Sequence, residues 1–280
     1  MKGFIILGLS VSSVLSAQTD STQIKEIQEV SFTRRLPVSK EIINVQKDLG
    51  SKNLGQDLPI LLKNQMSVVA TSDAGNGVGY TGFRIRGSAG TSINVMLNGV
   101  PYNDSESQGT FFVNIPDMAS SASQIVIQRG VGTSSNGTAS FGASVNILTK
   151  NPDEKPYVLG QFSAGSFNTM KTSFEAGSGK FLNDLLSVSA RYSTINSDGY
   201  IDRAFSKLNS YSINALFEKG NTKIRFLTFG GKEKTYQAWN GIDRQTWETN
   251  PRLNYSGQYT DLFTGEEKFY DNETDNYRQN

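Results

Sequence analysis

Two residue types that most often carry chemistry are missing: the 280 residues contain no His and no Cys. That removes the usual general base, the commonest metal ligand, the thiolate nucleophile and every disulfide. Ser–His and Cys–His hydrolytic pairs are excluded with them, so no catalytic residue is assigned, no cofactor or metal is expected, and the chain does not read as an enzyme. The remaining candidates are arginines, acids and aromatics. Arg84, Arg86 and Arg129 fall at the ends of apolar β-branched runs, where a buried guanidinium needs a carboxylate partner. Asp104 and Glu106 fall in a turn and read as solvated. Asp271, Glu273 and Asp275 imitate the start of a calcium loop, but Asn276 stands where that loop requires Gly. Asp73–Gly79 (DAGNGVG) is rich in glycine, yet no helix with a phosphate-cradling start follows it, so it reads as a plain loop. Tyr236, Trp239 and Trp247 head an aromatic-rich stretch from Lys232 onward, suited either to gripping a ligand or to packing a loop against itself.

The elements that must hold these residues are mostly strands. Gln124–Lys150 carries Ile125, Val126 and Ile127, then a turn with Gly130, Gly132, Gly137 and Gly142, then Val145, Ile147 and Leu148: strand, tight excursion, strand. Val38–Val45 reads as a further strand. Asp57–Met66 reads as a short helix with Asp57 as its cap and Pro59 in its first turn. Lys2, the apolar run Phe4–Leu15 and Ser16-Ala17 have the layout of a secretory signal peptide, residues 1–17. Twenty-seven basic against 26 acidic residues, net +1, leave no basic footprint for nucleic acid.

Beyond Asn151-Pro152 and Pro156 the period changes to two. Val158, Phe162 and Ala164; Met170, Phe174 and Ala176; Leu186, Val188, Ala190 and Tyr192; Tyr211, Ile213, Ala215 and Phe217; and Ile224, Phe226 and Thr228 each alternate with polar neighbours. Five such segments, joined by the short turn Lys219–Asn221 and by longer connections at Ser197–Asn209 and after Lys232, fit the first strands of a transmembrane barrel. A soluble β-sandwich alternates in the same way, and sequence period alone separates the two poorly.

Phe83-Arg84-Ile85-Arg86-Gly87, Ile93–Tyr102 (INVMLNGVPY), Asp57-Leu58-Pro59 with Leu61-Leu62, and the Gln124–Lys150 unit together resemble the plug domain of TonB-dependent outer-membrane receptors. The resemblance implies an α+β plug (residues 34–152) followed by the first strands (157–280) of a large antiparallel transmembrane β-barrel. It further implies that Arg86 and Arg129 pair with glutamates of the barrel wall and lock plug to barrel. Residues 18–33 would be a flexible segment whose Glu29, Val30, Ser31 and Phe32 form the TonB box, although Ile24–Phe32 could also be an ordinary first strand. The implied function is uptake of a scarce ligand, such as an iron chelate or cobalamin, across an outer membrane whose lipid the barrel faces. TonB and its inner-membrane energising complex would be the partners. The alternative is an exported soluble β-rich binding or adhesion protein. Complete barrels of this kind have about 22 strands, which at about 9 residues each take about 200 residues before loops. The sequence is therefore expected to be an amino-terminal fragment, ending in the polar run Tyr270–Asn280 with no descending strand.

Overall fold

The computed structural model describes residues 40–131, 140–236, 238, 240–270 and 278–279. The segment read as a signal peptide, the Glu29–Phe32 box, Gly132, Gly137, Trp239 and the acids Asp271, Glu273 and Asp275 lie outside the described residues.

β-Branched runs build the first sheet. β1 (Lys40–Asn44), α1 (Leu58–Leu61), the hairpin β2 (Val68–Ser72) and β3 (Thr81–Ile85), β4 (Ile93–Leu97), β5 (Val100–Pro101), α2 (Met118–Ser121), β6 (Ala122–Arg129) and β7 (Ala143–Thr149) follow in chain order. Five of them form a sheet in the order β1-β6-β7-β4-β5. β6 and β7 pair antiparallel, closed by a bond from the Gly130 amide to the Gly142 carbonyl (2.7 Å), as the strand–turn–strand reading of Gln124–Lys150 requires. β4 and β7 run parallel; such a pair needs a long crossover, supplied here by everything from β5 to β6. Ile43, Leu62, Ile85, Ile93, Val95, Ile125, Ile127, Val145 and Ile147 make the core under this sheet. Phe83 and Phe112 meet across it with ring centroids 5.4 Å apart. Asp57 stands at the N-cap of α1 as expected, but its side chain makes no capping bond. It turns inward instead and accepts from the Thr81 hydroxyl at 2.8 Å.

The second half is a meander: β8 (Pro156–Ala164), β9 (Met170–Phe181), β10 (Leu186–Ser197), β11 (Ser206–Lys219) and β12 (Thr222–Tyr236), each antiparallel to the next. These are the five strands read from the dyad pattern. Gly220-Asn221 closes the β11–β12 hairpin as a two-residue turn with Gly220 at φ 55°, a conformation glycine takes without a Cβ penalty. After β12 come α3 (Arg244–Thr249), the hairpin β13 (Gln258–Thr260) and β14 (Glu267–Phe269), and β15 (Arg278–Gln279). β15 pairs antiparallel with Tyr236 and Thr235. That corrects the expectation that the polar run Tyr270–Asn280 holds no returning strand: a polar composition does not prevent backbone pairing at the rim of a sheet.

The sheet's two faces are reversed relative to a soluble protein. Val158 (84% exposed), Phe162 (68%), Phe174 (60%) and Phe226 (60%) point outward, while Ser193, Ser206 and Ser210 are buried against the first domain. A β-sandwich buries its apolar faces against each other. A wall that turns its apolar face out and its polar face onto a domain inside is the arrangement of a membrane barrel strand.

Candidate functional site

The polar face of the wall meets the plug around one side chain, Asp117. It follows Pro116 at the start of α2 in the left-handed region (φ 50°) and makes no cap bond to its own helix. Its carboxylate is fully buried and reaches across to the wall. Lys171 of β9 donates to Oδ1 at 2.9 Å, and Arg191 of β10 donates to Oδ2 at 2.7 Å. Ser193 adds a bond to Oδ2 at 2.6 Å and Ser120 one to Oδ1 at 2.6 Å. The two cations have further partners: Lys171 reaches Ser120 (2.6 Å) and Asn53 (3.1 Å), and Arg191 reaches Ser121 (2.9 Å). Burial pushes the Asp117 carboxyl up, but Lys171, Arg191 and the serine hydroxyls outweigh it and hold the group below the ordinary carboxylate range. Strand alternation explains the wall's share, since Lys171, Arg191 and Ser193 occupy positions that face inward when Met170, Ala190 and Tyr192 face out.

Other contacts tie down the plug's margins. Arg225 of β12 binds the Thr149 hydroxyl (2.6 Å) and the Lys150 carbonyl (2.5 Å) at the end of β7, steadied by Asn214 at 3.1 Å. Asn76 donates to the Ala204 carbonyl (3.0 Å) and to Ser206 (2.6 Å). The Asp73–Gly79 stretch is therefore more than the plain loop read from sequence: it is where the plug's backbone lies directly on the wall. A Cβ at Gly75 would fall 2.8 Å from Ile201. Val78 packs with Ile195 and Leu208.

The residues singled out from sequence are distributed differently. Arg129 is buried at the end of β6, but its partner is Glu41 of the neighbouring β1, within the plug, and its Nε donates to the Met66 carbonyl at 3.0 Å. The carboxylate thus comes from within the plug; the β1–β6 register, Glu41 opposite Ile127, brings it near. Arg86 lies exposed just past β3 at φ 52°, with its guanidinium beside Gly130. Tyr236 is 1% exposed. Arg203 lies between its ring (5.8 Å) and that of Phe269 (3.8 Å) and also bonds the Ser256 carbonyl, so Tyr236 anchors the segment after β12 and is closed to an outside ligand. Trp247, on α3, is 61% exposed. Replacing Arg129 with Ala is expected to destabilise the plug by about 2 kcal/mol, less than a fully buried pair because Glu41 is partly open to water. A urea midpoint equal to that of the parent protein would contradict this.

Sequence reasoning missed Asp117, Lys171 and Arg191 as a set. The only available signal was two cations on the polar positions of strands that otherwise carry serine there.

A small α+β domain is thus held by buried ion pairs to the polar face of an outwardly apolar antiparallel wall. Residues 33–144 match the family model for the TonB-dependent receptor plug domain. Among solved structures, the chain resembles the ferric yersiniabactin uptake receptor FyuA from Yersinia pestis (14% identity, TM-score 0.57), covering 72% of this chain and 32% of that one. It also resembles the pyoverdine outer membrane receptor FpvA from Pseudomonas aeruginosa PAO1 (13%, 0.56; 71% and 28%) and the ferric citrate transporter FecA (15%, 0.60; 78% and 34%). No curated protein matches it. The chain carries a TonB-dependent receptor plug domain, followed by antiparallel strands with the fold of these receptors' amino-terminal region. It spans about a third of their length. The matching family model is that of a receptor domain.

Proposed function

We propose that this chain supplies the plug and first wall strands of an outer-membrane receptor that binds a scarce ligand outside the cell and admits it to the periplasm using energy passed from TonB. The observation that carries the reading is the seat of the plug: a domain held by charges on the inner face of a lipid-facing wall blocks a pore and must be moved for anything to pass. Residues 1–17 are the export signal, 18–33 the segment with the box Glu29–Phe32, 34–152 the plug and 157–280 the wall. TonB, with its inner-membrane complex, captures the box by strand addition, a mode in which backbone bonds supply most of the affinity. The neighbours named for ferric yersiniabactin, pyoverdine and ferric citrate favour a metal chelate as ligand. Exposed Trp247 would meet it, on a segment that Tyr236 anchors, and Trp239 is the second aromatic assigned to it. Arg129 with Glu41 fixes the plug's own sheet edge, Arg86 is free to face wall strands beyond β12, and Asp117 is the principal lock.

Fractionation tests this. The full-length protein should be recovered in the outer-membrane fraction and migrate faster in detergent gels before heating than after. Recovery in the soluble periplasm without a heat-dependent shift would overturn it.

A further inference from the structure

A second pair of acidic groups lies where plug meets wall, and among the described residues no cation pairs with it. Asp57 sits at the start of α1 and Glu233 on the inward face of β12, and both are buried. Oδ1 of Asp57 and both carboxyl oxygens of Glu233 have no hydrogen-bond partner among the described residues. Both groups flank Gly79: a Cβ there would stand 3.0 Å from Oε1 of Glu233, and the Gly79 amide faces Asp57. The backbone at Gly79 (φ 97°) favours glycine, which lets the two carboxyls approach from either side. Apolar Val78, Ile195 and Leu208 lie beside them.

The charges around the pair do not neutralise it. Lys232 and Lys234 alternate with Glu233 and, with Lys207 opposite Lys234, belong to the other face of the sheet. Asp117, the next acid in the plug, is engaged by Lys171 and Arg191. Asp73 at the start of the glycine loop is exposed, and from β3 only the Thr81 hydroxyl reaches Asp57. Two buried carboxylates with no cation between them cannot both ionise without a large cost. We propose that Asp57 and Glu233 form a proton-binding site between plug and wall, with one of the two protonated, and that loss of this proton loosens the glycine loop from the wall. In agreement, burial pushes the Asp57 carboxyl up to about 7.

The sign follows from linkage. A carboxyl whose folded pKa is raised binds more protons folded than unfolded, so its contribution is full below the ordinary carboxylate pKa of about 4 and is lost as pH rises through the raised value. The test is the thermal transition of the plug in the purified, membrane-embedded protein between about pH 5 and about pH 9. The transition should fall by several degrees over that range, and Glu233→Gln and Asp57→Asn should each flatten the slope. The double variant should add little, because the pair titrates together. Infrared spectra at neutral pH should show a protonated carboxyl band that either variant removes. A wild-type transition that is flat or rises with pH, or an infrared band unaffected by both variants, would overturn the proposal. So would calcium or magnesium salts that restore the alkaline transition in the wild type but not in Glu233→Gln, since the site would then hold a metal ion.

Discussion

Replacing Asp117 with Ala is expected to lower the thermal transition of the plug by roughly 10 °C or more while the barrel's own transition stays in place. The reason is asymmetric. In the parent protein one carboxylate satisfies Lys171 and Arg191, both almost wholly buried; without it they stay in the interface with only hydroxyl and amide partners. Removing one member of a buried ionic set typically costs about 3–5 kcal/mol, chiefly through the charge left uncompensated. At about 4 °C per kcal/mol for a domain of this size, that gives the shift quoted. Lys171→Met should cost less, because Asp117 keeps Arg191, and Asp117→Asn should fall between the two. The cluster also sets an acid limit: a carboxyl held below its ordinary range contributes fully above about pH 4, and its contribution is lost as the pH falls through the folded value. Calorimetry that places the plug transition of Asp117→Ala within a degree or two of the parent would remove Asp117 from the role of lock.

The second large effect is expected at the other end of the proposed mechanism. Val30→Pro should weaken binding of the full chain to the periplasmic domain of TonB by at least about tenfold, or about 1.4 kcal/mol. An added strand is held by its own N–H and C=O groups, and proline has no N–H to give and a fixed φ. Ser31→Ala, which leaves the backbone intact, should bind nearly as the parent does. Surface plasmon resonance with immobilised TonB domain decides the matter: equal affinities for Val30→Pro and the parent would mean that Glu29–Phe32 is not the captured strand. The two experiments are independent, since the first concerns what holds the plug and the second what pulls it.

Much of the fold was legible because it follows from local pattern. The five wall strands and the Gly220-Asn221 turn emerge from a period of two punctuated by turn residues, which is a property of each strand on its own. The β6–β7 pair likewise needed only two apolar runs and a glycine-rich excursion between them. The functional contacts were much less legible. Asp57 was read as a helix cap because its position in sequence is that of a cap, yet α1 is four residues long and its carboxylate is drawn instead to Thr81. Arg129 was expected to seek a barrel glutamate and is satisfied by Glu41, which adjoins it only because β1 lies against β6. Tyr236 heads a stretch that the sequence suits either to a ligand or to packing, and Arg203 and Phe269 fix it in the second role.

By itself the sequence determined where the strands lie, which of their faces is apolar, that no His- or Cys-based chemistry is present, and which segments resemble a plug. The tertiary structure alone decided which charged groups come together: Asp117 with Lys171 and Arg191, 54 and 74 residues away, and Asp57 and Glu233 on either side of Gly79. The reason is physical. Alternation is written into successive residues of one strand, whereas an ion pair between domains depends on which inward-facing positions the curvature and register of the wall bring opposite the plug, and those are set by the packing of the whole.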